Sequence, residues 1–207
     1  MENKMPKKIK QVVSKTEIVC VLDRSGSMNS MADEAIGGFN AFLEEQKKID
    51  GKANITVCLF DHEYNLLYDG IDLKKAEPLT KETYVPRGTT ALLDAIGRTV
   101  DAVTERIDKL SKKNKPGKII MAILTDGAEN ASNDYSREEI RILLEKAQKE
   151  QNWDVFYLAA NQDAFAVGST IGIANGNCMA YAGDALGGTQ KGYSDLSRSI
   201  TGSRVKN

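Results

Sequence analysis

The sequence is poor in the residues that build metal cages and covalent staples. It has one histidine, His62, and three cysteines, Cys20, Cys58 and Cys178, which stand far apart with no CxxC pair. That composition argues against thiolate and imidazole zinc chemistry and against a disulfide framework. Each cysteine lies in an apolar run, where a thiol behaves as a small hydrophobe, so a reducing compartment is expected. No stretch approaches the ~20 apolar residues that cross a bilayer. The basic start, MENKMPKKIKQ, is not followed by an apolar signal core, and a soluble, cytoplasmic protein is expected. Neither charge sign prevails: 28 Lys and Arg stand against 29 Asp and Glu, a formal net charge of −1. Bulk charge therefore gives no reason to expect a nucleic-acid or membrane partner. The nucleophile elbow GxSxG, the phosphate loop GxxxxGK[ST] and a clean GxGxxG after a strand are missing too. There is no internal repeat.

What is present is ordinary globular composition over 207 residues, enough for one domain with a full core. Residues 1–15 carry Lys4, Lys7, Lys8, Lys10 and Lys15 and read as a flexible basic arm; 16–203 form the domain and 204–207 a tail that frays, as TGSRVKN does from Thr201. EIVCVLD (17–23) is a short apolar run ending in a carboxylate, the pattern of a strand buried on both faces. Met31, Ala35, Phe39, Phe42 and Leu43 recur at helical spacing and predict a helix over 30–49. Strands follow at 54–60 and 62–70, joined by so short a turn at 61–63 that they must be antiparallel, with the second at an edge. A long polar connection, 71–89, is a candidate functional loop. Leu93, Ile96, Val100, Val103, Ile107 and Leu110 mark an amphipathic helix. KIIMAILTDG (118–127) repeats the plan of the first strand, and the capping box at Ser136 opens a helix over 137–150. A strand at 153–161 starts with Trp153, a packing residue. A short helix near 162–171, a strand around 177–182 and a glycine-interrupted helix with Tyr193, Leu196 and Ile200 complete the chain. That last helix either closes the sandwich or is offered to a partner. The alternation predicts an α/β, doubly wound, mostly parallel six-stranded sheet with one antiparallel edge strand and helices on both faces.

In such a sheet ligands bind beyond the carboxyl ends of the strands, where strand order reverses. Asp23, Ser25 and Ser27 alternate along a tight turn eased by Gly26, so their side chains can converge. The helix after Thr90 and the strand ending Thr125-Asp126-Gly127 bring further oxygens to the same mouth. An all-oxygen set of carboxylates and hydroxyls suits a hard cation, Mg²⁺ or Mn²⁺. Helix capping is the competing explanation for Asp23, Ser25, Ser27 and Thr90. Arg24 and Met28 read as rim surface, and Glu129 and Asn130 as a solvated loop left out of the site, with lining the same mouth as the other possibility. Asn161 and Asp163 read as a turn, with rim contacts as the other possibility. His62 reads as a surface residue beside Asp61, and the glycine clusters at 168–176 and 183–192 as loop flexibility and close packing.

The set Asp23-x-Ser25-x-Ser27, Gly88-x-Thr90 and Thr125-Asp126-Gly127 resembles the metal-ion-dependent adhesion site of von Willebrand factor type A domains, which have a Rossmann-like fold. The strand–helix order matches that fold from about residue 16 to residue 200. The resemblance implies that Ser25, Ser27 and Thr90 offer hydroxyls to the metal, while Asp23 and Asp126 bind directly or through water. Thr89 is the alternative to Thr90, which fills the third position of the GxT pattern. One coordination position is left for a Glu or Asp of a partner protein, so the resemblance implies a binding module and not an enzyme. The lack of a leader suggests the intracellular bacterial or phage type, whose members serve assembly or work beside a AAA+ ATPase. The rival is a metal-dependent phosphoesterase or phosphotransferase using the same Mg²⁺, with Arg24 and Arg87 as anion holders.

Overall fold

A computed structural model of the chain describes residues 15–160, 164–182 and 187–205. In chain order the elements are β1 (Thr16–Asp23), α1 (Ala32–Lys48), β2 (Ala53–Phe60), β3 (Tyr64–Asp72), α2 (Leu92–Asp108), β4 (Lys118–Thr125), α3 (Arg137–Glu150), β5 (Trp153–Ala160), α4 (Ala164–Thr170), β6 (Cys178–Tyr181) and α5 (Gly188–Val205). The strands form one six-stranded sheet in the order β3-β2-β1-β4-β5-β6. All neighbours are parallel except β2 and β3, which form the expected antiparallel hairpin with β3 at the edge.

Alternation along β1 explains the layering. Ile18, Cys20 and Leu22 point to one face, Val19 and Val21 to the other, and all are buried. The first set packs with Phe39, Phe42 and Leu43 of α1 and with Tyr193, Leu196 and Ile200 of α5. The second packs with Ile96, Val100 and Val103 of α2 and with Ile140 and Leu144 of α3. A strand buried on both faces favours apolar side chains along its middle, and the apolar run of β1 stops at Asp23, its last residue.

Local chemistry sets the element ends. Ser136 and Glu139 form a reciprocal capping box: the Ser136 N–H donates to Glu139 Oε2 at 2.8 Å and the Glu139 N–H to Ser136 Oγ at 3.3 Å. The first helix starts later than its periodicity suggests. Residues Gly26–Met31 coil as a 3₁₀ turn, and the α-helix begins at Ala32. The end of the chain also differs from expectation, for α5 continues through the residues expected to fray and reaches Val205. Its last turn is anchored because Arg204 is buried and donates to the Gln46 carbonyl of α1 at 2.7 Å. Gln46 Nε2 in turn donates to Ser197 Oγ at 3.1 Å, so α5 closes the sandwich against α1. The long connection after β3 is not solvated throughout: Ala76, Leu79 and Tyr84 are buried, and Asn40 of α1 exchanges two hydrogen bonds with the Leu79 backbone. Cys20, Cys58 and Cys178 are buried free thiols. Among the described residues no helix is long and apolar enough to cross a membrane. Asn161 and Asp163 lie outside the described residues.

Candidate metal centre

The chain leaves β1 for β2 and β3 on one side, then returns to lay β4 on the other, so strand order reverses between β1 and β4. Their carboxyl ends open onto one crevice. Asp23 is the last residue of β1 and Thr125 the last of β4. Asp23 Oδ1 accepts the Ser25 N–H at 2.7 Å, and Asp23 Oδ2 accepts the Thr125 hydroxyl at 2.5 Å. The Thr125 hydroxyl also accepts the Gly127 N–H at 3.1 Å, so one side chain stitches the two strand ends together. From the far side Tyr84 donates its hydroxyl to the Asp23 carbonyl. The Gly26 N–H donates to the Gly88 carbonyl at 3.1 Å, and a Cβ on Gly26 would stand 3.1 Å from that same oxygen. Gly88 has φ +65°, a conformation that favours glycine.

The hydroxyls line up behind this frame. Ser25 Oγ lies 3.0 Å from Ser27 Oγ, and Ser27 Oγ donates to Asp126 Oδ1 at 2.7 Å. Thr90 is buried, whereas Thr89 is exposed. A Cβ built on Gly127 would stand 2.8 Å from Thr90 Oγ1 and 3.4 Å from Ser27 Oγ. Glycine at 127 therefore leaves the space in which these oxygens meet. The structure brings Asp23, Ser25, Ser27, Thr90 and Asp126 together in one cluster.

Helix capping does not account for this arrangement. Ser25 precedes the 3₁₀ turn, but its side chain makes no capping bond. The residue preceding α2 is Ala91, not Thr90. The first amides of α2 are taken up instead by the following loop: Glu129 accepts the Leu93 N–H at 2.9 Å and Ser132 Oγ accepts the Asp94 N–H at 3.1 Å.

Electrostatically the cluster is anionic. Burial, aided by the nearby charge of Asp126, pushes the Asp23 carboxyl up to about 6 against the pull of its hydrogen bonds. Asp126 is also shifted upward by burial. Among the described residues neither carboxylate is ion-paired with a lysine or arginine. One buried and one half-buried carboxylate, which among the described residues have no paired cationic side chain, form with the three hydroxyls an all-oxygen set suited to a hard divalent cation.

Two rim expectations are corrected. Arg24 is buried, with Nε 2.9 Å from Asp61 Oδ2, because the hairpin turn presents a buried carboxylate to it. Met28 is buried in the α1 side of the core, carried inward by the 3₁₀ turn. Asp61 also holds Arg87, at 3.0 Å, and Arg87 pairs further with Glu63. Asp61, His62 and Glu63 could in principle hold a metal, yet a cation there would have to compete with two guanidinium groups for Asp61. His62 is about half exposed beside Asp61, with Nδ1 3.1 Å from Asp61 Oδ1.

The sequence reading missed several supporting residues. Glu129 is no free loop residue: besides Leu93 it accepts the Ala131 and Ser132 N–H groups and the Ser132 hydroxyl. Asp94 holds the amides of Asn133, Asp134 and Tyr135, so α2 and the loop after β4 cap one another. Tyr84 had no local signal at all, since its partner is 61 residues away.

No protein-family model matches the chain, and no curated protein matches it. Solved structures do. The von Willebrand factor domain of the type V pili tip protein Mfa5 from Porphyromonas gingivalis superposes with a TM-score of 0.63 at 10% identity, covering 91% of this chain and 96% of that one. Proximal thread matrix protein 1 from the mussel byssus, with a zinc-occupied MIDAS motif, gives 0.61 at 15% identity over 92% of this chain and 46% of that one. The manganese-loaded TRAP protein of Plasmodium vivax gives 0.54 at 19% identity over 72% and 58%. The chain thus spans about half the length of the mussel protein. These likenesses show that the chain has the von Willebrand factor type A fold.

Proposed function

We propose that this chain is a metal-dependent protein-binding module, in which Asp23, Ser25, Ser27, Thr90 and Asp126 hold a divalent cation that docks a Glu or Asp of a partner protein. The observation that carries the reading is the convergence of three hydroxyls and two carboxylates at the strand-order switch, where among the described residues no cationic side chain is paired to either carboxylate. Mg²⁺ or Mn²⁺ suits the all-oxygen donor set. A bound divalent ion supplies an electrophilic point at the mouth of the crevice, and partial neutralisation by two carboxylates leaves it attractive to a third. The chain's own residues orient the donors: Thr125 and the Ser25 amide aim Asp23, Ser27 aims Asp126, and Gly127 keeps the space clear.

The phosphoesterase alternative needs free cations near the metal to hold a phosphoryl group. Arg24 and Arg87, the two placed to do so, are committed to Asp61 and Glu63. The buried free thiols favour a reducing compartment.

The test is isothermal titration of Mg²⁺ and Mn²⁺ into metal-stripped protein, with Asp126→Ala and Ser25→Ala alongside and circular dichroism to verify folding. Saturable binding by the wild type that both folded variants lose supports the site; folded wild type that takes up neither ion overturns it. Partner capture compared between Mg²⁺ and EDTA then tests the docking role.

A further inference from the structure

The opposite end of the sheet carries a different chemistry. Where β2 begins and α1 ends, a groove of about 690 Å³ is lined by Lys15, Lys52, Lys74, Lys113 and Arg204, with Lys47 and Lys115 also on its wall. Lys47 pairs with Glu44 and Lys115 with Asp108. The other five have no carboxylate partner among the described residues, and the one acid in the lining, Asp72, spends an oxygen on the Lys74 N–H at 2.9 Å. Five cations facing the single carboxylate of Asp72 leave a net positive charge around one concavity, which favours the entry of an anion.

Arg204 makes the case more than a solvated lysine face. Only 8% of it is exposed, yet among the described residues Nη1 donates only to uncharged oxygens, the Gln46 carbonyl at 2.7 Å and Gln46 Oε1 at 3.0 Å. The carbonyl belongs to the last turn of α1, whose dipole offers roughly half an elementary charge and no more. Burial lowers its pKa. A largely buried guanidinium that has no carboxylate partner among the described residues is rare, and here it lines a groove with donors to spare.

We propose that this groove binds a multiply charged phosphate anion, an oligophosphate that is free or is the tail of a nucleotide, with Arg204 and Lys15, Lys52, Lys74 and Lys113 as its ligands. The volume is that of a small-molecule site. Linked phosphates put several charges within such a space, whereas carboxylates on one side of an extended peptide recur only every ~6.5–7 Å. No aromatic side chain lines the groove to stack a base, so recognition rests on the phosphates.

The experiment titrates sodium tripolyphosphate, and in parallel ATP, into the metal-stripped 207-residue chain by calorimetry at low and at physiological salt. Saturable binding is expected, weakened at least ~tenfold by the triple variant Lys52→Glu, Lys74→Glu, Lys113→Glu and similarly by Arg204→Gln, with Arg204→Lys between. Asp126→Ala, at the other end of the sheet, should bind normally, which separates this site from the metal centre. Similar affinities for the two probes identify the free phosphate chain as the recognised group, and a preference for ATP identifies the nucleotide as its source. The lysine variant alters exposed positions, so it decides the matter if Arg204→Gln fails to fold. The proposal is overturned by absence of saturable heat with both probes, by unchanged binding in the lysine variant, or by preference for duplex DNA or poly-glutamate over tripolyphosphate.

Discussion

Asn130 and Thr90 are joined by a reciprocal pair of hydrogen bonds: the Thr90 N–H donates to Asn130 Oδ1 at 2.9 Å, and the Asn130 N–H donates to the Thr90 carbonyl at 3.1 Å. Asn130 thus holds in place the residue whose hydroxyl faces the cluster. Asn130→Ala should weaken Mg²⁺ binding by roughly 3–10-fold, the worth of one neutral hydrogen bond. Asn130→Asp, which keeps Oδ1, should restore most of it. Calorimetry on folded variants checks this, and unchanged affinity in Asn130→Ala would show that Thr90 needs no such support.

Asp23 makes the metal-free protein sensitive to pH. Its folded pKa of about 6 lies above the ordinary 3.8, so its contribution to stability is full below the ordinary value and is lost as pH rises through 6. Two units correspond to about 3 kcal/mol at most. Metal-stripped Asp23→Asn should therefore be more stable than wild type at neutral pH, and the advantage should shrink toward pH 4 and on adding Mg²⁺ to the wild type. Thermal melts across that range give the answer; a variant less stable than wild type at pH 7.5 would contradict the assignment.

Glu17 is buried in β1, where its carboxylate accepts Arg106 Nη2 at 2.6 Å and the Thr56 hydroxyl at 2.9 Å. Arg106→Met strands that charge and should cost roughly 3–5 kcal/mol in urea denaturation. Adding Glu17→Gln should recover part of the loss, because the uncompensated charge disappears with it.

Gly38 of α1 lies under the ring of Tyr193: an added Cβ would stand 2.3 Å from Tyr193 Cδ2. Gly38→Ala should destabilise the fold by about 1–3 kcal/mol through overpacking, despite alanine's better helix propensity. Tyr193→Leu should soften the effect in a double-mutant cycle.

Deleting residues 188–207 exposes the α1 face of the core and removes Tyr193, Leu196 and Ile200, each worth ~1.5–3 kcal/mol when buried. That sum rivals the ~5–15 kcal/mol stability of a whole domain. The truncated chain should fail to give a cooperative melt, whereas a helix held out for a partner would leave folding intact.

Periodicity and apolar runs determined the strands and helices of this protein, because burial on one or two faces leaves a pattern that is local in the chain. The hairpin was legible because a turn at 61–63 leaves the chain no room for a crossover. The five oxygen-bearing residues of the candidate centre were legible too, since each sits at a strand end or loop in a recognisable short motif. Tertiary structure alone decided how they are held. That Thr125 bridges to Asp23, that Tyr84 reaches the Asp23 carbonyl and that Asn130 grips Thr90 depends on strand register and loop packing across 40 to 102 residues of chain. The same holds for Arg24, which a local reading leaves on the surface and the fold turns onto a buried Asp61. The basic groove follows this rule most fully: its lysines come from separate loops and helix ends, and Arg204 lies in a segment whose sequence suggested fraying. Local sequence encodes propensity and burial, while the meeting of side chains distant in sequence is set by how the layers pack.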